Sequence, residues 1–252
     1  MNFTPTADKL IPDLSPREEI VMLARTLWRE GYNDHLAGHI TIDLGDGTLL
    51  CNPWLLTWDE IRPRDIIRID LDGKLVEGDW PVPLGIPLHL ELHRARHDVR
   101  VAMHSHPLYG TVWSDMGEVP PAMDQSSNLG GGGELVLVAE YGGSVDSSDA
   151  ARQAVDAMAG AELALLAGHG VFVLGSTVRA VHQRAVALEQ RCHHAWMVRA
   201  AGGELSSPLP AWFVERSRNS DGNGFRGFWE AMVRAELRAD PTLLDELGLD
   251  LD

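Results

Sequence analysis

Three times along the chain, two short apolar runs face each other across a tight, glycine-bearing turn. Ile40–Leu44 and Thr48–Cys51 flank Gly45-Asp46-Gly47, and Ile66–Leu71 and Lys74–Val76 flank Asp72-Gly73. Leu163–Ala167 and Val171–Leu174 bracket Gly168-His169-Gly170. Runs this short, closed by turns this tight, return antiparallel to themselves, because a parallel return needs a crossover of a dozen or more residues. Two further apolar runs, Val99–His104 and Leu135–Ala139, read as strands without such partners. The spacing predicts an α/β chain around a central, mostly antiparallel sheet covered by helices.

The helices carry their own boundary signals. Ser15-Pro16-Arg17-Glu18 is a capping box with proline at the first helical position, and Gly31 closes a helix over Pro16–Glu30. Ile20, Leu23, Ala24, Leu27 and Trp28 share one face of it. Further helices are predicted around Pro87–Arg96, from Asp146-Ser147-Ser148 to about Ala159, and from Val178 to Ala200. Gly202-Gly203 ends the last of these and opens the only plausible linker, which reaches Pro210. The chain divides accordingly into a main body, residues 1–203, and a helical C-terminal extension, residues 204–252, packing on the main body or on a neighbouring subunit. Trp212, Phe213, Phe225, Phe228 and Trp229 make that extension aromatic, and packing over a neighbouring subunit is the preferred account. A stretch over residues 219–224 interrupts it, and Gly130–Gly133 forms a glycine-rich loop.

Charge removes whole classes of partner. With 21 Lys plus Arg against 37 Asp plus Glu, the formal charge is 21 − 37 = −16. Phosphate backbones and anionic lipid surfaces are repelled, so neither nucleic acid nor membrane is an expected partner. Cys51 and Cys192 are too few and too far apart for a disulfide framework or a CxxC metal site. The first sixteen residues hold no apolar signal core, so a cytoplasmic address is expected.

Of eleven histidines, three are placed to do chemistry. His104-Ser105-His106 ends the apolar strand, and residues two apart on a strand project to one face. Both imidazoles can converge on one ion, although an exposed histidine pair at a sheet rim has the same pattern. His169 sits between two glycines inside a strongly apolar stretch, where an unpartnered polar group costs about 1–3 kcal/mol. A hydrogen bond to neighbouring backbone is the plain alternative. Three neutral imidazoles with open coordination positions suit one divalent ion per chain, zinc first, with manganese or iron as alternatives.

These residues carry a family resemblance. Asp98–Pro107 (DVRVAMHSHP) resembles the RPDVxAVxHTHP segment of the class II aldolase/adducin family, and Leu166–Gly170 (LAGHG) resembles its LxNHG motif. Leu36–Thr41 (LAGHIT) looks like the AxGNIS loop, and Asp65–Gly78 is similar to the stretch before the catalytic segment. The likeness runs from Ser15 to Gly203 with the motifs in family order. It implies α/β/α layers, metal ligation by His104, His106 and His169, and a homotetramer with active sites between subunits.

The departures from the pattern redirect the function. Where sugar-phosphate aldolases of this family carry the Gly-Asn, Ser-Gly and serines that hold phosphate, this chain has Gly38-His39, Trp54-Leu55 and Pro83-Leu84. Trp and Leu side chains donate nothing to phosphate oxygens. Gly85 stands where the resemblance places a glutamate that is ligand and general acid/base, a loss shared with the adducin-like subset. Decarboxylation asks only for an electron sink, whereas aldol cleavage must remove a proton. The resemblance therefore implies a carbon–carbon lyase, decarboxylase before aldolase, acting on a small, non-phosphorylated oxo- or hydroxy-acid. The alternatives are a non-haem iron oxygenase on an aromatic or 2-oxo acid and a non-catalytic adducin-like assembly module. His39 is the candidate substrate-facing residue beside the metal, and Gln125 the candidate contact for a substrate carboxylate. Tyr141 matches loosely the region of a catalytic tyrosine that reaches a neighbouring subunit, with surface packing as the competing reading. His89, His93, His193 and His194 are expected to be structural, solvent-facing or interfacial.

Overall fold

A computed structural model describes residues 4–128, 134–141, 147–207, 209–219 and 226–243. Among the described residues, eight strands make one sheet: β1 (His39–Asp43), β2 (Thr48–Cys51), β3 (Ile67–Asp70), β4 (Leu75–Glu77), β5 (Val101–Ser105), β6 (Leu135–Val138), β7 (Leu163–Leu166) and β8 (Gly170–Gly175). Their order is β4-β3-β2-β1-β5-β8-β7-β6, and every neighbouring pair is antiparallel except β6 with β7. The three expected glycine turns are the hairpins β1–β2, β3–β4 and β7–β8. The parallel β6–β7 pair is joined through the helix α5 (Ser148–Ala157), which supplies the crossover such a pair requires.

The helices sort themselves by the alternation of the strands. Ile40, Ile42, Val101, Met103, Leu163, Leu165, Val171 and Val173 point to one face. There they bury against α1 (Pro16–Arg29) and the long α6 (Val178–Ala200). Ala102, Ala164, Leu166, Phe172 and Leu174 point to the other face, against α2 (Ile86–Ala95) and α5. Both faces are covered, giving the α/β/α layering of the class II aldolase type, and the central strands read as continuous apolar runs for that reason. Ser15 accepts from the Glu18 backbone N–H while the Ser15 N–H donates to the Glu18 carboxylate, so the capping box forms as written in the sequence.

Two helices were not legible as such: α3 (Leu108–Met116) directly after β5, and the single turn α4 (Gln125–Asn128). Beyond α6 come α7 (Ala211–Asn219) and α8 (Phe228–Ala239). At α8 the aromatic tail departs from the expected packing over a neighbouring subunit. Trp229, Val233 and Leu237 are buried in the chain's own core beside α1, and Glu236 takes a buried ion pair from Arg25 and a partly exposed one from Arg29. Trp212 and Phe228 are exposed. The glycine-rich loop Gly130–Gly133, residues 220–224 of the interruption, and Phe225 lie outside the described residues. Among the described residues, no helix is long and apolar enough to cross a membrane.

Candidate metal centre

His104 is the fourth residue of β5, His106 follows that strand directly, and His169 occupies the β7–β8 turn. Antiparallel pairing of β5 with β8 brings them together: His104 lies in register with Phe172, and Ser105 with Val171. The two glycines around His169 act differently. Gly168 has φ +67°, a left-handed turn conformation that L side chains resist. At Gly170 a Cβ would lie 2.5 Å from His106 Cδ2 and 2.6 Å from the Ser105 carbonyl oxygen, so only glycine admits the approach of the metal strand.

The ring nitrogens converge. His169 Nε2 lies 3.1 Å from His104 Nε2 and 3.2 Å from His106 Nε2, and the ligating atoms of all three lie within 4.8 Å of one another. The far sides of two rings are committed. His104 Nδ1–H donates to the Val171 carbonyl at 2.9 Å, and His106 Nδ1–H donates to the Asp34 carboxylate. A neutral imidazole has one N–H, so both Nε2 atoms present bare lone pairs, and His169 has at most one proton to offer between them. Lone pairs gathered this closely repel unless a cation sits among them. The 3.1 and 3.2 Å separations match nitrogens sharing one ion with bonds of about 2.0–2.1 Å. Burial pushes the His104 pKa well below its ordinary value and lowers His169 to about 4, His106 adding to the effect and Asp34 opposing it at His169. Both rings are therefore unprotonated and ready to ligate at neutral pH. The residues fit a divalent metal, and the carboxylate behind His106 is the outer-shell partner that fixes ring orientation in such sites.

Residues 18–196 match the family described as Class II Aldolase and Adducin N-terminal domain. The chain belongs to that family. It is 30% identical over 207 residues to the 5-methylthioribulose-1-phosphate/5-deoxyribulose-1-phosphate aldolase of Rhodospirillum rubrum, covering 79% of this chain and 88% of that protein. It is equally 30% identical over 202 residues to the 3,4-dihydroxyphthalate decarboxylase of Arthrobacter keyseri, covering 75% of this chain and 81% of the relative. Among solved structures, an aldolase II superfamily protein from Pseudomonas syringae superposes with a TM-score of 0.77 at 24% identity, over 94% of this chain and 98% of that one. A 4-hydroxy-3-prenylphenylpyruvate oxygenase/4-hydroxy-3-prenylbenzoate synthase of Streptomyces roseochromogenus is also 30% identical, over 83% of this chain and 77% of that protein. Relatives of at least three chemistries therefore stand at the same identity, and a choice among them must come from the residues around the three histidines.

Tyr141 is the first of these. Its ring centroid is 4.9 Å from that of His169, in the same chain, and the side chain is buried rather than packed on the surface. Burial raises its pKa to about 12, which keeps the phenol protonated. His39 opens β1 in register with His104, its ring centroid 5.5 Å away, and burial lowers its pKa to about 3. Gln125 is not brought to the cluster by any contact within the chain; it is exposed at the start of α4, a turn packed against α6 and α7. Where aldolases of the family place phosphate-binding residues, the Trp54 N–H is spent on the Pro81 carbonyl, and Leu55 is an exposed residue at φ +77°. Trp58 packs so tightly on Gly38 that a Cβ there would meet the indole at 2.2 Å.

Four further histidines have partners of their own. His89 Nδ1 and His93 Nε2 each lie 2.8 Å from the Thr41 hydroxyl, a group able to donate to one and accept from the other. His193 stacks on Tyr109 at 4.0 Å, and His194 pairs with Asp124 at 2.7 Å. Asp34 escaped the sequence reading because its loop carries no motif and its partner lies 72 residues on. Only the general rule that ligating histidines need a carboxylate or carbonyl behind them could have prompted a search.

Proposed function

We propose that this chain is a carbon–carbon lyase that holds one divalent metal ion, zinc before manganese or iron, on His104, His106 and His169. Its substrate is a small non-phosphorylated oxo- or hydroxy-acid, and decarboxylation is favoured over aldol cleavage. The observation that carries the reading is the set of three converging Nε2 atoms, with two Nδ1 protons already committed, and with the His39 ring, 5.5 Å from His104, packed on a glycine at residue 85. A bound ion there supplies a Lewis acid that polarises a carbonyl or phenolate oxygen.

The protein's part follows from its own groups. Aldol cleavage begins with removal of a hydroxyl proton, and residue 85 offers no carboxylate to accept it. Decarboxylation begins with loss of carbon dioxide and then needs a proton delivered to carbon. Tyr141, held protonated beside His169, is the group we assign to that delivery. His39 faces the substrate as an uncharged hydrogen-bonding ring. Gln125 serves as a carboxylate contact only across a subunit boundary, which ties that role to a homotetramer.

The test is metal analysis of purified protein, followed by carbon dioxide release from 2-oxo acids and hydroxylated aromatic acids without oxygen. We expect about one divalent ion per chain and turnover with zinc or manganese. Turnover that demands both Fe²⁺ and oxygen would replace the lyase with an iron oxygenase. Protein that binds no metal in any form would return the chain to an adducin-like assembly role.

A further inference from the structure

Gly85 precedes α2 with φ −81° and ψ 9°, a backbone conformation open to any L-residue. Its backbone therefore does not call for glycine, but the space around it does. A Cβ built on residue 85 would lie 2.3 Å from His39 Cε1 and 2.8 Å from His39 Nδ1, closer than real Cβ contacts come. The His39 ring fills the volume into which a residue-85 side chain would leave the backbone. That ring is only 6% exposed, and its Nδ1 has no hydrogen-bond partner among the described residues. It lies between two others, with ring centroids 5.5 Å from His104 and 6.0 Å from His89.

We propose that residues 39 and 85 are a reciprocal pair, in which the His39 imidazole takes the space of a residue-85 side chain and presents a hydrogen-bonding ring to metal-bound substrate where a carboxylate would present a charge. The consequence is a substrate preference. Three neutral imidazoles leave the positive charge of the ion to be balanced by Asp34, behind His106, and by the substrate itself. A carboxylate at residue 85 would cancel part of that charge and repel a second anionic group on the ligand. With His39 in its place, the centre favours ligands that chelate through two anionic oxygens, such as the carboxylate and enolate of an oxo-acid. This inference rests on the metal reading above.

Two measurements on full-length protein test it separately. The first is a double-mutant cycle on metal-free protein, read as melting temperature. We expect Gly85→Ala to lower Tm by several degrees in the wild-type background and by almost nothing with His39→Asn, since the added methyl then meets no ring. Additive effects would overturn the reciprocal pairing, whatever the metal does. The second is calorimetric titration of zinc-loaded protein with oxalate, a dianion, and glycolate, a monoanion. We expect His39→Asn to weaken oxalate about tenfold, the size of one lost hydrogen bond to a charged group. The double variant His39→Asn/Gly85→Glu should show the ratio of oxalate to glycolate affinity falling further. An unchanged ratio would overturn the proposed preference. Wild-type protein that takes up no zinc would instead sink the metal reading, leaving the melting cycle to judge the pair by itself.

Discussion

Two groups of histidines occupy neighbouring places on the α2 side of the sheet, with His39 between them, and they are built for opposite ends. His89 and His93, one turn apart on α2, are bridged by the Thr41 hydroxyl. A hydroxyl is both donor and acceptor, so the two ring nitrogens that face it are matched without any ion. His104, His106 and His169 face one another instead, and two of them have spent their protons outward on the Val171 carbonyl and the Asp34 carboxylate. Residue type is the same in both groups. The partner behind each ring decides which nitrogen is left bare, and bare nitrogens that converge make a metal site.

The largest expected effect breaks the metal group alone. His169→Ala should reduce bound metal from about one ion per chain to a trace, since a site of this kind keeps three protein ligands. His93→Gln should leave it intact; elemental analysis after dialysis compares the two. Equal loss in both variants would erase the distinction between the groups. Next in size, Asp34→Asn should weaken metal affinity by about 10–100-fold while the fold survives, as removal of an outer-shell partner does. Competition against a chelator of known affinity measures it, and unchanged affinity would show that Asp34 does not set the His106 ring.

Thr41→Val sharpens the other side of the comparison. It strips the shared partner from two buried rings and should cost about 1–3 kcal/mol in urea unfolding, with metal content unchanged. A neutral result would mean that the histidine pair is satisfied by other means. The last effect is read per pH unit, as a slope. Burial holds His93 at about 4, against an ordinary value of 6.5, with Asp43 opposing the shift. The unfolded chain takes up this proton near 6.5 and the folded chain only near 4, so the contribution is complete above 6.5 and is lost as pH falls towards 4. The slope is about 1.4 kcal/mol per pH unit in that window. His93→Gln should flatten it in metal-free protein, and an identical pH profile would count against a buried neutral ring.

Much of this was legible in the residues because it is local. The turn dipeptide Asp72-Gly73, the capping box at Ser15 and the spacing of His104 and His106 each state their geometry within a few positions. What was missed depends on groups distant in the chain. The helix α3 has no capping side chain of its own. Its first free N–H groups, on Tyr109 and Gly110, donate to Glu189 of α6 at 2.8 Å, so its start signal lies about eighty residues away in sequence. The tail illustrates the same limit. Trp212 and Trp229 belong to one aromatic series, yet Trp229 is buried beside α1 while Trp212 stays exposed. Nothing in the series separates them, because burial depends on what packs opposite.

The sequence alone determined the sheet-based class with its covering helices and picked out the three histidines that the fold gathers, because strand period, turn chemistry and motif order are properties of neighbouring residues. Only the tertiary structure decided which ring nitrogens are free, through the Val171 carbonyl and Asp34. Only it placed Tyr141 over His169 and the His39 ring in the space left by Gly85. Those outcomes depend on volume and on the direction of a proton, and both are set by residues that meet only when the chain has folded.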